Sequence, residues 1–233
     1  MSTKSPRHVA RRTRSLHTPV AEQPQLSLSR RFHIARQLTQ VVLHLHAAGW
    51  LHKSLRSSNI IFLAPNDASA DEFLNKAPYL IGYEYTRPDT AQAVAFIRLP
   101  DTALETDLYR HPHARGVGRE KYRKQFDMYA LGCVLVEVGM WRRLLDVKIV
   151  YVNNSLGEVI TEATALDKDV DLPSLLRLRA KDELVDALRH CIGEGFLEAV
   201  ALSVQMEKVE SDEDDISLDT QQAVISMLRE CKC

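Results

Sequence analysis

The sequence predicts a mainly α-helical domain with one small β element, and three observations support this fold class. The segment LSLSRRFHIARQLTQVVLHLHAAGW places apolar residues at helical spacing, which is typical of an amphipathic helix. In the segment FDMYALGCVLVEVGMW, Glu137 is the only charged residue from Met128 to Met140, which indicates a helix in the middle of a core. NIIFLA and YLIGYEY are short runs of β-branched and aromatic residues and predict two strands.

The composition is typical of one medium-sized globular domain with tails: 233 residues, of which 45% are hydrophobic and 26% charged. The net charge of −1 gives no general attraction to nucleic acid. The sequence has no apolar run long enough to span a bilayer. The four cysteines lack CxxC ligand spacing and are expected to be reduced thiols, so we expect a cytoplasmic location.

Residues 1–26 are expected to form a disordered basic arm, because prolines interrupt a polar sequence. The first structured element is then the amphipathic helix. Ser27 or Ser29 is the expected N-cap, and Gly49 is expected just past the helix end. The apolar residues that define its buried face are Phe32, Ile34, Ala35, Leu38, Val41, Val42 and Leu45.

The middle of the chain alternates short apolar runs with polar segments. A polar loop, PNDASADEFLNKAP, separates the two predicted strands. Residues 86–118 read as a long irregular segment, and loops of that length are usually functional or disordered.

The C-terminal part predicts two or three further helices, with Gly193 and Gly195 as the break between them. Residues 209–219 are expected to form an acidic linker, and residues 220–233 a short C-terminal helix.

Several motifs occur in the order found in the C-terminal lobe of a protein kinase, and the similarity covers roughly residues 28–200. LHKSLRSSN resembles the catalytic-loop motif H-R-D-L-x-x-x-N. GYEYTR stands where kinases have D-F-G-x-x-R, and LYRHPH where the segment ending in A-P-E would stand. FDMYALGCVLVEV resembles the following helix of the kinase lobe.

More narrowly, the chain resembles the fungal kinase-like domain associated with HeLo and prion-inhibition proteins. The segments that carry this resemblance are GWLHKSLRSSNIIF, YLIGYEYTRPD, LYRHP and YRKQFDMYALGCVLVEVGMW. The implied fold is a mainly α, kinase-like C-lobe over residues 27–208 with a small β-hairpin. The N-lobe is expected to be absent or truncated, because no Gly-rich G-x-G-x-x-G motif occurs and fewer than about thirty residues precede the first helix.

The resemblance implies a degenerate catalytic loop that contains His52, Ser54 and Asn59. Ser54 stands at the position of the catalytic Asp. The positions equivalent to the kinase metal ligands are Asn59 and Gly82, with Glu84 as a displaced carboxylate. No cofactor-binding residue and no metal site are therefore expected.

Asp127 matches the kinase Asp that accepts hydrogen bonds from the backbone of the catalytic loop, so the resemblance implies that Asp127 is a structural brace. A buried carboxylate needs such donors to offset its desolvation. Lys53, Arg56 and Arg87 are basic residues that either form an anion site or remain a solvated cluster.

These observations favour a catalytically impaired protein kinase-like domain, or pseudokinase, that acts as an interaction and signalling module. Its protein partners would bind the exposed surface that faces the N-lobe in kinases. One alternative is an active atypical kinase that binds ATP and Mg²⁺ through Glu84 and Asn59. Another is a helical interaction protein with decayed kinase ancestry and no ligand.

Overall fold

A computed structural model describes residues 11–16, 26–69, 72, 74–90, 104–115, 120–147, 183–204 and 218–231. The helices include α1 (Leu28–Ala47), α2 (Leu104–Asp107), α3 (Lys124–Met140), α4 (Glu183–Ile192), α5 (Glu194–Val204) and α6 (Leu218–Glu230). The strands are β1 (Arg11–Ser15), β2 (Trp50–Leu51), β3 (Ile60–Pro65), β4 (Pro78–Leu80) and β5 (Arg87–Pro88). The predicted mainly α class with small antiparallel sheets is confirmed.

Helix α3 lies at the centre of the core, as its apolar sequence predicts. Every residue from 125 to 139 is buried, because α1, α4 and α5 pack around this helix. Gly132 allows the close approach of α5, since a Cβ atom built there would lie 2.4 Å from Val204 Cγ1. A helix without a polar face needs neighbours on all sides, and the flanking helices supply them.

Helix α1 has the two ends that the sequence predicts. The Ser27 side chain accepts a hydrogen bond from the backbone N–H of Arg30, which makes Ser27 the N-cap. Gly49 follows the helix with a positive φ of 76°, a backbone conformation that glycine adopts without strain. The buried face of α1 consists of Phe32, Ile34, Ala35, Leu38, Thr39, Val42 and His46.

The β structure is larger than the predicted hairpin. Strands β1, β3 and β4 form one antiparallel sheet in that order, and β2 pairs with β5 in a second one. The expectation of a disordered arm is wrong for residues 11–16: β1 pairs with β3, and Leu16 is buried in the core. Pairing with β3 satisfies the backbone of β1, which outweighs its polar composition. Residues 1–10 and 17–25 of the expected arm lie outside the described residues.

The C-terminal helices depart from the sequence prediction in two places. Gly193, with a φ of 76°, separates α4 from α5, whereas Gly195 lies inside α5 rather than at the break. Helix α6 begins at Leu218, two residues earlier than predicted, and packs against α1 and α5. It is therefore part of the core rather than a separate terminal element. Residues 209–217 of the predicted acidic linker lie outside the described residues.

The expected irregular segment over residues 86–118 contains short ordered elements where the structure describes it. They are β5, α2 and one turn of 3₁₀-helix, Pro112–Ala114. Within the described residues, none of the helices combines the length and apolarity that crossing a membrane requires.

Candidate functional site

The Asp127 carboxylate lies beneath the loop of residues 52–59 and is fully buried. Its Oδ2 accepts a hydrogen bond from the backbone N–H of His52 at 2.7 Å. Its Oδ1 accepts from the backbone N–H of Lys53 and from the Tyr122 hydroxyl, both at 2.8 Å. A further contact of 3.2 Å joins Oδ2 to Nε2 of His46. Both carboxylate oxygens thus have donors that replace the water lost on burial.

The pKa of Asp127 lies below its ordinary value as the result of two opposing effects. Burial raises the pKa, because the charged form loses solvation. The hydrogen bond and the charge of His46, with the donors from Lys53 and Tyr122, lower it and outweigh the burial. Asp127 is therefore ionised at neutral pH. Asp127 also lies in the first turn of α3, where the positive N-terminal end of the helix dipole stabilises the charged carboxylate.

Lys53 adopts a conformation that a non-glycine residue rarely has, with a φ of 67°. Such a left-handed residue costs about 1–2 kcal/mol. Its N–H and that of His52 both bond to Asp127, and its ammonium group lies 5.2 Å from the centre of the Tyr122 ring. These contacts hold the loop in its strained turn.

The His52 ring is fixed at both nitrogens. Its Nδ1 accepts a hydrogen bond from the backbone N–H of Ser54 at 3.3 Å, and its Nε2 lies 3.2 Å from the carbonyl oxygen of Ile81. This arrangement corresponds to a neutral imidazole protonated at Nε2. Burial lowers the pKa of His52, and the nearby Asp127 charge opposes this effect only partly.

Three of the residues singled out from the sequence meet at one point. Asn59 Nδ2 donates to the carbonyl oxygen of Ser54 at 2.7 Å and lies 3.0 Å from its Oγ. The backbone carbonyl oxygen of Asn59 accepts a hydrogen bond from the backbone N–H of Ile81 at 2.8 Å. Gly82 lies against the same amide: a Cβ atom built on it would be 2.4 Å from Asn59 Nδ2. The Asn59 side chain therefore fills the space that a side chain at position 82 would need.

Glu84 does not join this group as the structure describes it. It lies in the 3₁₀ turn Tyr83–Tyr85 and is exposed. Magnesium prefers oxygen ligands, usually carboxylates with several waters. The donors gathered at this point are an amide already engaged with Ser54 and a hydroxyl, and Gly82 offers no side-chain ligand, so the set does not fit Mg²⁺.

A second buried polar cluster follows the loop. Tyr109 Oη donates to Oε1 of Glu137 at 2.8 Å and lies 2.9 Å from Ser57 Oγ. The same glutamate oxygen accepts the backbone N–H of Leu144 at 2.8 Å. Burial and then the Glu137 charge raise the pKa of Tyr109 well above its ordinary value. Sequence reasoning missed this cluster, although Glu137, the one charged residue between Met128 and Met140, was a signal for it.

Two of the basic residues considered as an anion site line one cleft. Lys53 and Arg87 line it together with Lys121 and Tyr122. Arg56 donates a hydrogen bond to Thr106 Oγ1 at 3.0 Å. Two of the three predicted cations, Lys53 and Arg87, thus share this cleft.

No family model matches the sequence. Over 113 residues, or 48% of its length, the chain is 29% identical to the meiosis induction protein kinase IME2/SME1 of Saccharomyces cerevisiae. The matched segment spans only 17% of that yeast protein. This partial similarity supports a kinase-like relationship for about half of the chain.

We predict that Asp127→Ala lowers the free energy of unfolding by about 2–4 kcal/mol, as expected when a buried polar network loses its centre. The substitution leaves the N–H groups of His52 and Lys53 buried without this acceptor. Urea unfolding of both proteins measures the difference. The exposed Glu198 on α5 gives a control, Glu198→Ala, which should change stability by less than about 0.5 kcal/mol. Equal urea midpoints for Asp127→Ala and the wild type would show that the carboxylate does not stabilise the folded protein.

The free energy of unfolding should also fall with acidification in two steps. The folded protein binds a proton at His52 less readily than the unfolded chain, so stability is lost as pH falls below about 6.5. The pKa of Asp127 is lowered, so its contribution is complete above about pH 4 and is lost as pH falls through the folded-state pKa. Unfolding curves from pH 7 to 3 measure both steps. If the free energy of unfolding changes with pH between 7 and 5 equally in His52→Asn and in the wild type, the step assigned to His52 is wrong.

Proposed function

We propose that this chain is a catalytically impaired protein kinase-like domain, with a C-lobe over residues 27–208, that works as a protein-interaction and signalling module. The observation that carries the proposal is the Asn59 side chain packed against Gly82. It lies in a loop whose architectural contacts are kept while its chemical groups differ from those of active kinases.

The contacts around Asp127 support a kinase-like architecture. The motif resemblance implies a carboxylate at the start of a hydrophobic helix that accepts the backbone N–H groups of the catalytic loop. Asp127 accepts the N–H groups of His52 and Lys53 at 2.7 and 2.8 Å. The partial similarity to a yeast protein kinase agrees with this interpretation. We therefore assign Asp127 the role of a brace for the loop.

The groups at the catalytic positions support impaired catalysis. Phosphoryl transfer depends on Mg²⁺ and on an Asp that accepts the substrate hydroxyl proton. Ser54 has a hydroxyl that does not act as a base at neutral pH, and loss of a general base is worth about 10²–10⁴ in rate. Gly82 contributes no side-chain ligand, and Asn59 closes the space beside it. Neither ATP nor Mg²⁺ is therefore an expected cofactor.

Exposed aromatic and aliphatic side chains next to the loop support a binding role. Tyr79, Ile81 and Tyr83 stand at every second position around Gly82 and are 40–50% exposed. We call these three residues the loop-side surface. The Tyr83 ring contacts His52 edge-on at 5.0 Å, so Tyr83 lies beside the loop. Several large exposed apolar groups within one short segment favour a protein–protein contact.

In the kinase-like interpretation, the loop-side surface corresponds to the part of the C-lobe that faces the N-lobe. We propose that it binds a protein partner in the cytoplasm. The resemblance to the fungal group suggests a helical domain of the HeLo type as the kind of protein with which the chain signals.

We predict that ATP with Mg²⁺ at about 1 mM leaves the Tm unchanged, because the domain is not expected to bind the nucleotide. A ligand that binds only the folded state would raise the Tm. Transfer of labelled phosphate to a generic protein substrate should also be absent, with an active kinase domain as the positive control. Transfer that disappears in both Ser54→Ala and Asn59→Ala would overturn the proposal and establish the active atypical kinase instead.

The binding role predicts a partner at one defined surface. A photo-crosslinking amino acid in place of Tyr83 should trap a specific protein in cells, whereas the same group in place of the exposed Glu198 should not. Trapping at neither position, or equally at both, would contradict the loop-side surface as a binding site. That result would favour a helical protein with decayed kinase ancestry.

A further inference from the structure

The C-terminal helix α6 carries one polar residue on its buried face. Gln221 is 1% exposed and shares this face with Val224, Ile225 and Leu228. An apolar side chain would be enough for packing at this position, and a buried amide costs free energy unless it is hydrogen-bonded. The role of Gln221 therefore depends on the group with which its side-chain amide forms a hydrogen bond.

The Gln221 side chain contacts His46, which belongs to α1. Gln221 Oε1 lies 2.7 Å from His46 Nδ1, within hydrogen-bond distance. On the other side of the ring, His46 Nε2 lies 3.2 Å from Oδ2 of Asp127. Because both oxygens are acceptors, the His46 ring satisfies Gln221 and Asp127 together by donating from Nδ1 to Gln221 and from Nε2 to Asp127.

The same oxygen of Asp127 accepts the backbone N–H of His52. A continuous series of buried hydrogen bonds therefore runs from α6 through His46 and Asp127 to the loop backbone. We call the series Gln221, His46, Asp127 and His52 the relay. Its members are all buried, so water does not compete for these contacts.

We propose that α6 is a control element for the loop, and that Gln221 is the positioning residue through which it acts. While α6 is docked, Gln221 orients His46, and His46 holds the Asp127 oxygen in place beneath the strained turn at Lys53. Displacement of α6 from α1 and α5 removes this hold, which frees the loop and changes the neighbouring loop-side surface. This inference rests on the brace role proposed for Asp127.

Hydrogen exchange on the full chain tests the relay. Gln221→Met keeps the length and packing volume of the side chain but removes the amide. The matched control is Gln222→Met, because Gln222 is the next residue on α6 and is exposed. The backbone amides of His52 and Lys53 should exchange about five- to tenfold faster in Gln221→Met than in the control, the effect of one lost hydrogen bond. Amides of α3 and α5 should exchange at the control rate.

Unchanged exchange at His52 and Lys53 would overturn the inference, and so would a uniform acceleration that includes α3 and α5. The variant Asp127→Asn distinguishes an error in the relay proposal from an error in the brace role proposed for Asp127. If Asp127→Asn accelerates both amides and Gln221→Met does not, the brace stands and the relay is wrong. If neither variant accelerates them, both are wrong.

A measurement without substitution covers the case in which a variant does not fold. The ¹⁵N shift of His46 Nδ1 in the wild-type protein reports whether this nitrogen carries the proton that it donates to Gln221 Oε1. The relay requires the shift of a protonated nitrogen. The shift of an unprotonated nitrogen would overturn the relay.

Discussion

The buried carboxylate of Asp127 is the interaction on which the rest of the site depends. It brings the start of α3, the loop of residues 52–59 and the end of α1 to one point through short hydrogen bonds. Without those donors a carboxylate in the core would cost several kcal/mol or become protonated. Each donor is in turn held by the carboxylate, so the strained turn at Lys53 and the charge of Asp127 stabilise each other.

Architecture and chemistry differ in how closely they match a kinase. In the kinase-like interpretation proposed above, the residues that position the loop match the kinase motifs, and they are buried in the core. In the same interpretation, the positions that perform phosphoryl transfer in kinases correspond to Ser54, Asn59 and Gly82, which carry other groups. Our proposal of an impaired, kinase-like interaction module follows from this contrast. It is independent of the activity of the yeast kinase, of which the matched segment covers a small part.

Sequence reasoning succeeded where a local pattern has only one physical solution. The largely apolar sequence of α3 requires a central position, and the helical spacing before Gly49 requires an amphipathic helix with a glycine at its end. It failed for β1, because a short polar strand becomes stable only when β3 offers its backbone. It also treated α6 as a separate element, since nothing local shows that Gln221 and its apolar neighbours meet α1 and α5.

The sequence by itself determined α1, α3 and the two predicted strands, and its resemblance to kinases suggested a kinase-like loop at residues 52–59. These features depend on the order of residues along the chain and on the chemistry of single side chains. Only the tertiary structure decided that Asn59 closes the space at Gly82 and that Gln221 reaches Asp127 through His46. Hydrogen bonds act over about 3 Å, so residues far apart in sequence acquire these roles only when packing brings their atoms together.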